Sequence, residues 1–286
     1  MSDILTLREI GAEAIHEILV LSARADLGRP LDGAGVALVF EKPSARTRNS
    51  MEMAVAQLGG HPVYVQKDEV GIDSRETAED VARTLACYHK VIAARVRQHD
   101  HLGRMAAAVE TPVLNMLSDS DHPLQGLADL LTIRQLAGRL EGVKVAYVGD
   151  GNNNVARSLA EGCALTGVEL VIASPEEFQL AAPPVGVRQV ANPAEAVAGA
   201  RIVYTDVWVS MGQDEETARR NRALAPYQVD EALMALSEDA WFMHCLPARR
   251  GEEVEATVID GPRSAVWRQA ENRMHTARGA LAWMVA

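Results

Sequence analysis

Short apolar runs alternate with helix-periodic stretches along this chain, and glycine or proline marks most of the joins. Val36–Phe40 is the first run. Pro43 closes it, because proline has no N–H to give a ladder, so the run reads as a buried strand. Ser44 then suits the cap of a helix over residues 47–58. Gly59-Gly60 leads to a second strand, 61–65, and the polar stretch 66–76, with Gly71 and Asp73, reads as a mobile loop. An amphipathic helix over 77–90, a strand over 91–96, a helix over 100–109 and a strand over 113–116 follow. Ahead of these, residues 3–26 suggest two short helices. Pro123 opens a long helix that stops at Gly138. The rhythm then restarts: strand 143–148, loop 149–154, helix 155–166, strands 169–173, 202–205 and 241–243, and a last helix over 265–285. Between 174 and 200, Pro175, Pro183 and Pro184 break the pattern and leave only a short helix at 193–198. This alternation predicts an α/β fold of two lobes, each a parallel β-sheet flanked by helices, with the junction on the helix that Pro123 opens.

The chain has 286 residues, room for one large domain or two ordinary ones, and 48% apolar residues are enough for a core. A net charge of −11 argues against non-specific nucleic-acid binding but leaves room for a local basic pocket. Cys87, Cys163 and Cys245 are widely spaced with no CxxC pair, which predicts a reducing compartment and no disulfide framework. Met1–Ile4 does not begin a signal peptide, and no stretch is long and apolar enough to span a membrane. The expectation is a soluble cytoplasmic protein with neither nucleic acid nor membrane as a partner.

Candidate chemistry falls at strand ends, where parallel sheets bind ligands. Ser44, Arg46, Thr47 and Arg48 lie where a strand feeds a helix N-terminus, an invitation to an anion that guanidiniums can grip. Arg95 ends another strand, and Ser118–His122 follows a third. Gly149-Asp150-Gly151-Asn152-Asn153-Asn154 resembles half of a dinucleotide turn, but Asn154 stands where that turn needs a third glycine. Capping, with one Asn left for a polar ligand, fits better. Asp206, ahead of Ser210, Met211 and Gly212, is a natural partner for a cationic amine. Cys245, beside His244 and close to Arg249 and Arg250, reads either as an inert cysteine or as an active-site thiol. The histidines lack ligand spacing, so no metal is expected.

Together these stretches resemble the aspartate/ornithine carbamoyltransferase family. Ser44–Arg48 matches its Ser-x-Arg-Thr-Arg signature, His122–Gln125 its His-Pro-x-Gln, and Arg95 its lone arginine. Asp206–Gly212 and His244–Pro247 match its ornithine branch, and Glu271-Asn272-Arg273 its C-terminal arginine motif. The resemblance implies a carbamoyl-phosphate-binding domain at 1–133, to which the helix 265–286 returns, and an ornithine-binding domain at 134–264, the two joined by two helices. It implies that carbamoyl phosphate is held by Ser44, Ala45, Arg46, Thr47, Arg95, His122, Gln125, Cys245, Leu246 and Arg273, and L-ornithine by Asn154, Asp206, Ser210 and Met211. Arg46, His122, Asp206 and Cys245 would be the catalytic set, with no cofactor and with sites at the subunit contacts of a homotrimer. Acetylornithine or putrescine is the alternative acceptor. The chain departs from the family at Gly71, where some members place a glutamine, at the shortened 174–192 stretch, and at Arg249, where many have histidine. A scaffold without activity has no use for Arg46, His122 and Cys245 together.

Overall fold

The computed structural model describes residues 2–209 and 216–286. The chain divides into two compact units, one of residues 1–131 with 272–286 and one of residues 132–271. The first begins with α1 (Leu7–Ser22), capped by Thr6, whose Oγ1 accepts the Glu9 N–H at 3.1 Å. Gly11, at φ 77°, breaks α1, so the two short helices expected here are its two parts. Then come β1 (Gly35–Phe40), α2 (Ala45–Gln57), β2 (His61–Gln66), α3 (Lys67–Val70), α4 (Ala78–Ala86), β3 (His89–Arg95), α5 (His99–Ala108), β4 (Val113–Leu117) and the start of α6 (Pro123–Ala137). The strands are parallel in the order β2-β1-β3-β4.

Two expectations are corrected in this unit. The mobile loop at 66–76 is a folded connection. It contains α3, it buries Val70 and Ile72 in the core beside Val81 and Leu102, and Arg104 holds Asp73 with two bonds of 2.6 and 3.0 Å. The helix expected over 77–90 ends at Ala86, because His89 already pairs with Gly35 as part of β3.

The second unit carries β5 (Lys144–Val148), α7 (Asn154–Thr166), β6 (Glu169–Ala173), β7 (Arg188–Val190), α8 (Pro193–Val197), β8 (Ile202–Thr205), α9 (Thr217–Leu224), α10 (Glu231–Met234), β9 (Trp241–His244) and α11 (Ala256–Ile259). Helix α12 (Val266–Met284) starts here and runs on into the residues of the first unit. The sheet is parallel, β7-β6-β5-β8-β9, over a core of Val148, Val171, Val203, Phe242 and Val266. Strand β7 was hidden in the sequence: Arg188-Gln189-Val190 has one apolar residue, and a single 3-10 turn at Glu176–Phe178 replaces the usual crossover helix.

Each sheet reverses its direction of growth once. In the first, the chain leaves β1 for β2 and then crosses to β3 on the other side. In the second, it runs β5-β6-β7 and then crosses to β8. Such a switch point opens a crevice at the strands' carboxyl ends, where ligands bind in doubly wound sheets. The crevices lie beyond Phe40 and Arg95 in one unit, which are register partners, and beyond Val148 and Thr205 in the other.

Gly279 of α12 packs so closely on α1 that an added Cβ would collide with Ser22 Oγ and meet Ile18 O at 2.9 Å. Gly279→Ala is expected to cost about 1–3 kcal/mol through overpacking, read as a lowered denaturant midpoint, with part regained in Ser22→Gly/Gly279→Ala.

Candidate active site

The half-site of the first unit is built around α2. Ser44 is extended (φ −159°), and its Oγ accepts the Thr47 N–H at 3.3 Å and donates to Thr47 Oγ1 at 3.1 Å. No acidic residue occupies the first turn, so the N–H groups at Ala45 and Arg46 keep their pull on an anion. Arg48 is corrected here. Its guanidinium pairs with Glu52 at 2.8 Å and lies 3.9 Å over the Tyr64 ring, so it faces along the helix and takes no part in the anion site.

Arg95 ends β3 and is 5% exposed. Glu41 fixes its backbone: the Glu41 N–H donates to Arg95 O at 2.9 Å, and Glu41 Oε2 accepts the Arg97 N–H at 2.8 Å. Arg273 comes from α12 and is 6% exposed. Arg95 Nε and both terminal nitrogens of Arg273 are buried without a hydrogen-bond partner among the described residues. Burial, and then the positive charge of Arg46, pushes Arg95 down to about 10. Burial, and then Arg95, pushes Arg273 down to about 9. Both stay cationic at neutral pH, so the cluster holds buried charge that an anionic ligand would compensate. His122 is set in front of α6 by a turn in which the Ser118 N–H donates to Asp121 O at 2.9 Å and Ser118 Oγ accepts the Asp121 N–H at 3.1 Å. Burial, helped by Arg273 and Arg95, holds His122 well below the ordinary histidine value. It is therefore a neutral imidazole, able to hydrogen-bond a carbonyl without competing for its charge. Gln125 follows on α6, with its Nε2 on Asp129 Oδ1 at 2.8 Å.

The second unit gathers an acidic set. Gly149 is at φ 125°, and a Cβ on Gly151 would meet Ile172 Cγ2 at 2.8 Å and Phe178 O at 3.0 Å. These glycines serve a tight turn. Asn153 caps α7 by accepting the Ala156 N–H at 2.8 Å, which leaves Asn154 as the first helical residue. Asp206, 6% exposed, follows β8. Its Oδ1 accepts the Val207 N–H at 2.8 Å and the Cys245 thiol at 3.1 Å, and burial raises its carboxyl above the ordinary value. His244, at the end of β9, is fully buried against Glu253. The Leu246 N–H donates to His244 Nδ1 at 2.9 Å, so the ring proton sits on Nε2, 3.1 Å from Glu253 Oε1. This clamp fixes the turn on which Cys245 and Leu246 sit, and Leu246 is held at φ 62°. Arg249 and Arg250 turn instead to Glu252 and Asp260. Ser210, Met211 and Gly212 lie outside the described residues.

Asp206, His244 and Cys245 present donor atoms within 4.8 Å of one another. Both ring nitrogens of His244 already serve Leu246 and Glu253, so an ion there would displace a hydrogen bond. Sequence spacing hid this group because Asp206 comes from a different strand. Glu253 was also missed, as was Arg220, which joins Asp150 in a buried ion pair and donates to Trp208 O at 2.6 Å. A recess of about 430 Å³ lined by Arg201, Leu236 and Asp239 opens near the amino ends of β8 and β9, away from Asp206.

The family model described as "Aspartate/ornithine carbamoyltransferase, carbamoyl-P binding domain" matches residues 2–135, and that of the "Asp/Orn binding domain" matches 141–284. The chain belongs to the aspartate/ornithine carbamoyltransferase family. It is similar to the ornithine carbamoyltransferase of Hyperthermus butylicus, 47% identical over 99% of this chain and 97% of that protein, and to that of Thermus thermophilus, 44% identical over 98% and 95%. Its fold is similar to that of the solved Pyrococcus furiosus ornithine carbamoyltransferase, with a TM-score of 0.92 at 40% identity over 98% of this chain and 96% of that one. Two parallel sheets flanked by helices are thus the architecture of both family and chain.

The neutrality of His122 sets a pH dependence of stability. The unfolded chain takes up a proton at this histidine below about pH 6.5, while the folded chain does not. Its contribution to stability is therefore full above that pH and falls as the pH drops. Below that pH the penalty grows as the pH falls. His122→Gln is expected to narrow the difference in urea midpoint between pH 7.5 and pH 5.5. An unchanged difference would place the buried histidine in its charged form.

Proposed function

We propose that this chain transfers the carbamoyl group of carbamoyl phosphate to the δ-amino group of L-ornithine, giving L-citrulline and phosphate. One observation carries the reading: Arg95 and Arg273 are buried with guanidinium nitrogens that have no hydrogen-bond partner among the described residues, beside a His122 held below the ordinary histidine value, in a unit whose family is named for carbamoyl phosphate. Ser44, Ala45, Arg46, Thr47 and Arg95 take the phosphate. His122, Gln125 and Arg273 take the carbamoyl carbonyl and amide. The residues about 1–133, with the last helix, form the carbamoyl-phosphate domain, and those about 134–264 the ornithine domain.

Ornithine is bound through Asn154, Asp206, Ser210 and Met211, and its δ-amine lies at Cys245 and Leu246. The amine attacks the carbamoyl carbon, the carbon–oxygen bond to phosphate breaks, and phosphate leaves with the electron pair and takes the proton that the attacking nitrogen sheds. The amine must first be neutral. The hydrogen bond from Cys245 to Asp206 supports these two as its proton acceptor and orienting pair. Charge growing on the carbonyl oxygen meets Arg46, Arg95 and His122, donors set in place before the reaction. The transfer is complete without a cofactor. Acetylornithine and putrescine are weaker candidates, because the Asp206–Gly212 stretch matches the free-ornithine branch. We infer further a cytoplasmic place in arginine biosynthesis and a homotrimer, as the resemblance implies. The outer strand β2 supports self-association, with Pro62, Val63, Tyr64 and Val65 only partly covered at the edge of its sheet.

The test is citrulline formation with ornithine, acetylornithine and putrescine as competing acceptors. Turnover with ornithine alone is expected. Arg273→Ala should lower kcat/KM for carbamoyl phosphate about 10²–10³-fold, the usual loss for a preorganised donor. No turnover with any acceptor, while inorganic phosphate still binds, would show that the amine site takes something else.

A further inference from the structure

Gln125 carries an amide whose two ends differ: Nε2 donates and Oε1 accepts. Rotated by half a turn it would offer the opposite pattern, and the two are nearly equal in shape. Here the choice is fixed from behind. Asp129, one turn further along α6, is completely buried, and its Oδ1 lies 2.8 Å from Gln125 Nε2. A carboxylate only accepts, so the amide must turn its NH₂ toward Asp129 and its carbonyl oxygen the other way. Gln125 is 5% exposed, and its Oε1 is the end of the amide turned away from Asp129. Arg273, which lies within electrostatic reach of the same Asp129, can only donate. Gln125 Oε1 is thus a dedicated acceptor in a cluster dominated by donors.

We propose that Asp129 is the positioning residue that makes this half-site selective for an acyl phosphate bearing an N–H donor, by locking Gln125 as an acceptor. The phosphate and the carbonyl oxygen of any acyl phosphate satisfy donors. Only a carbamoyl group also offers hydrogens to Gln125. An acetyl group of the same shape turns a methyl toward it and leaves Oε1 buried and unpaired, which a site built for hydrogen bonding rejects. The assignment rests on the carbamoyl-phosphate reading above and extends it to the residue that enforces the choice.

The test compares two stable ligands by calorimetry, phosphonoacetamide and 2-oxopropylphosphonate, which differ as NH₂ and CH₃, with inorganic phosphate as a probe of the anion grip alone. The wild type is expected to prefer the amide by roughly tenfold or more. Asp129→Asn can bond Gln125 in either orientation, so its preference should fall to within about threefold. Its phosphate binding should be as tight as the wild type's or tighter, since a neighbouring negative charge is gone. Gln125→Met should lose the same preference, and Gln125→Met/Asp129→Asn should lose no more. Asp129→Ser is the second variant should the first fold poorly. Equal binding of both ligands by the wild type overturns the proposal, as does a preference that survives Asp129→Asn. Loss of phosphate binding in both Asp129 variants assigns Asp129 a merely structural role and overturns it too. The citrulline assay is separate: a wild type that binds phosphonoacetamide but does not carbamoylate ornithine sinks the acceptor assignment and leaves the ligand comparison standing.

Discussion

Two guanidiniums buried together repel one another and have lost the water that would have solvated them. In the first unit Arg95 and Arg273 are in this position: Asp129 lies near enough to favour the charge on Arg273, but Arg95 Nε and both terminal nitrogens of Arg273 have no hydrogen-bond partner among the described residues. Keeping the pair in place takes much of the surrounding architecture. The parallel register brings the ends of β1 and β3 level, and Glu41 pins the backbone on both sides of Arg95. The last helix delivers Arg273 from the far end of the sequence, and its tight packing on α1 at Gly279 anchors that delivery.

The second unit solves the reverse problem. Its switch point holds buried carboxylates, Asp150, Asp206 and Glu253, and each has a specific partner: the Arg220 guanidinium, the Cys245 thiol and the His244 ring. Burial raises both Asp150 and Asp206, so the positive end of an amine is welcome there for the same reason that an anion is welcome in the other unit. The buried clusters of the two units are thus opposite in sign.

What could be read from the sequence was local. Ser44 as a cap, Pro123 as a helix start and Gly138 as a stop each follow from one residue's backbone chemistry, and each stands in the structure. The alternation of strands and helices gave the fold class for the same reason. Features decided by distant partners were not legible. Arg48 looks like Arg46 in the sequence, but Glu52 and Tyr64 draw it away. Glu253 is one of several glutamates in an acidic stretch until folding buries it against His244. Strand β7 exists because β6 offers it an edge, not because Arg188-Gln189-Val190 favours a strand. The folded course of 66–76 depends on Arg104, in a helix further along the chain.

Helix termini show how the site's demands reach the composition. Acidic residues in a first turn stabilise a helix by about 0.3–1 kcal/mol each, and α1, α4 and α5 take that gain through Glu9, Glu79 with Asp80, and Asp100. Helices α2, α6 and α7, which begin at the strand-end turns of the half-sites, take none of it. A carboxylate there would occupy the same N–H groups and neutralise the same partial charge that a ligand's phosphate or carboxylate needs. Helices α9, α11 and α12 also lack one, so the omission permits a ligand rather than marking a site. At α2 and α7 the uncharged caps Ser44 and Asn153 satisfy one N–H each and leave the dipole unspent. The helix starts give up a little folding stability and leave their N–H groups and partial charge unspent.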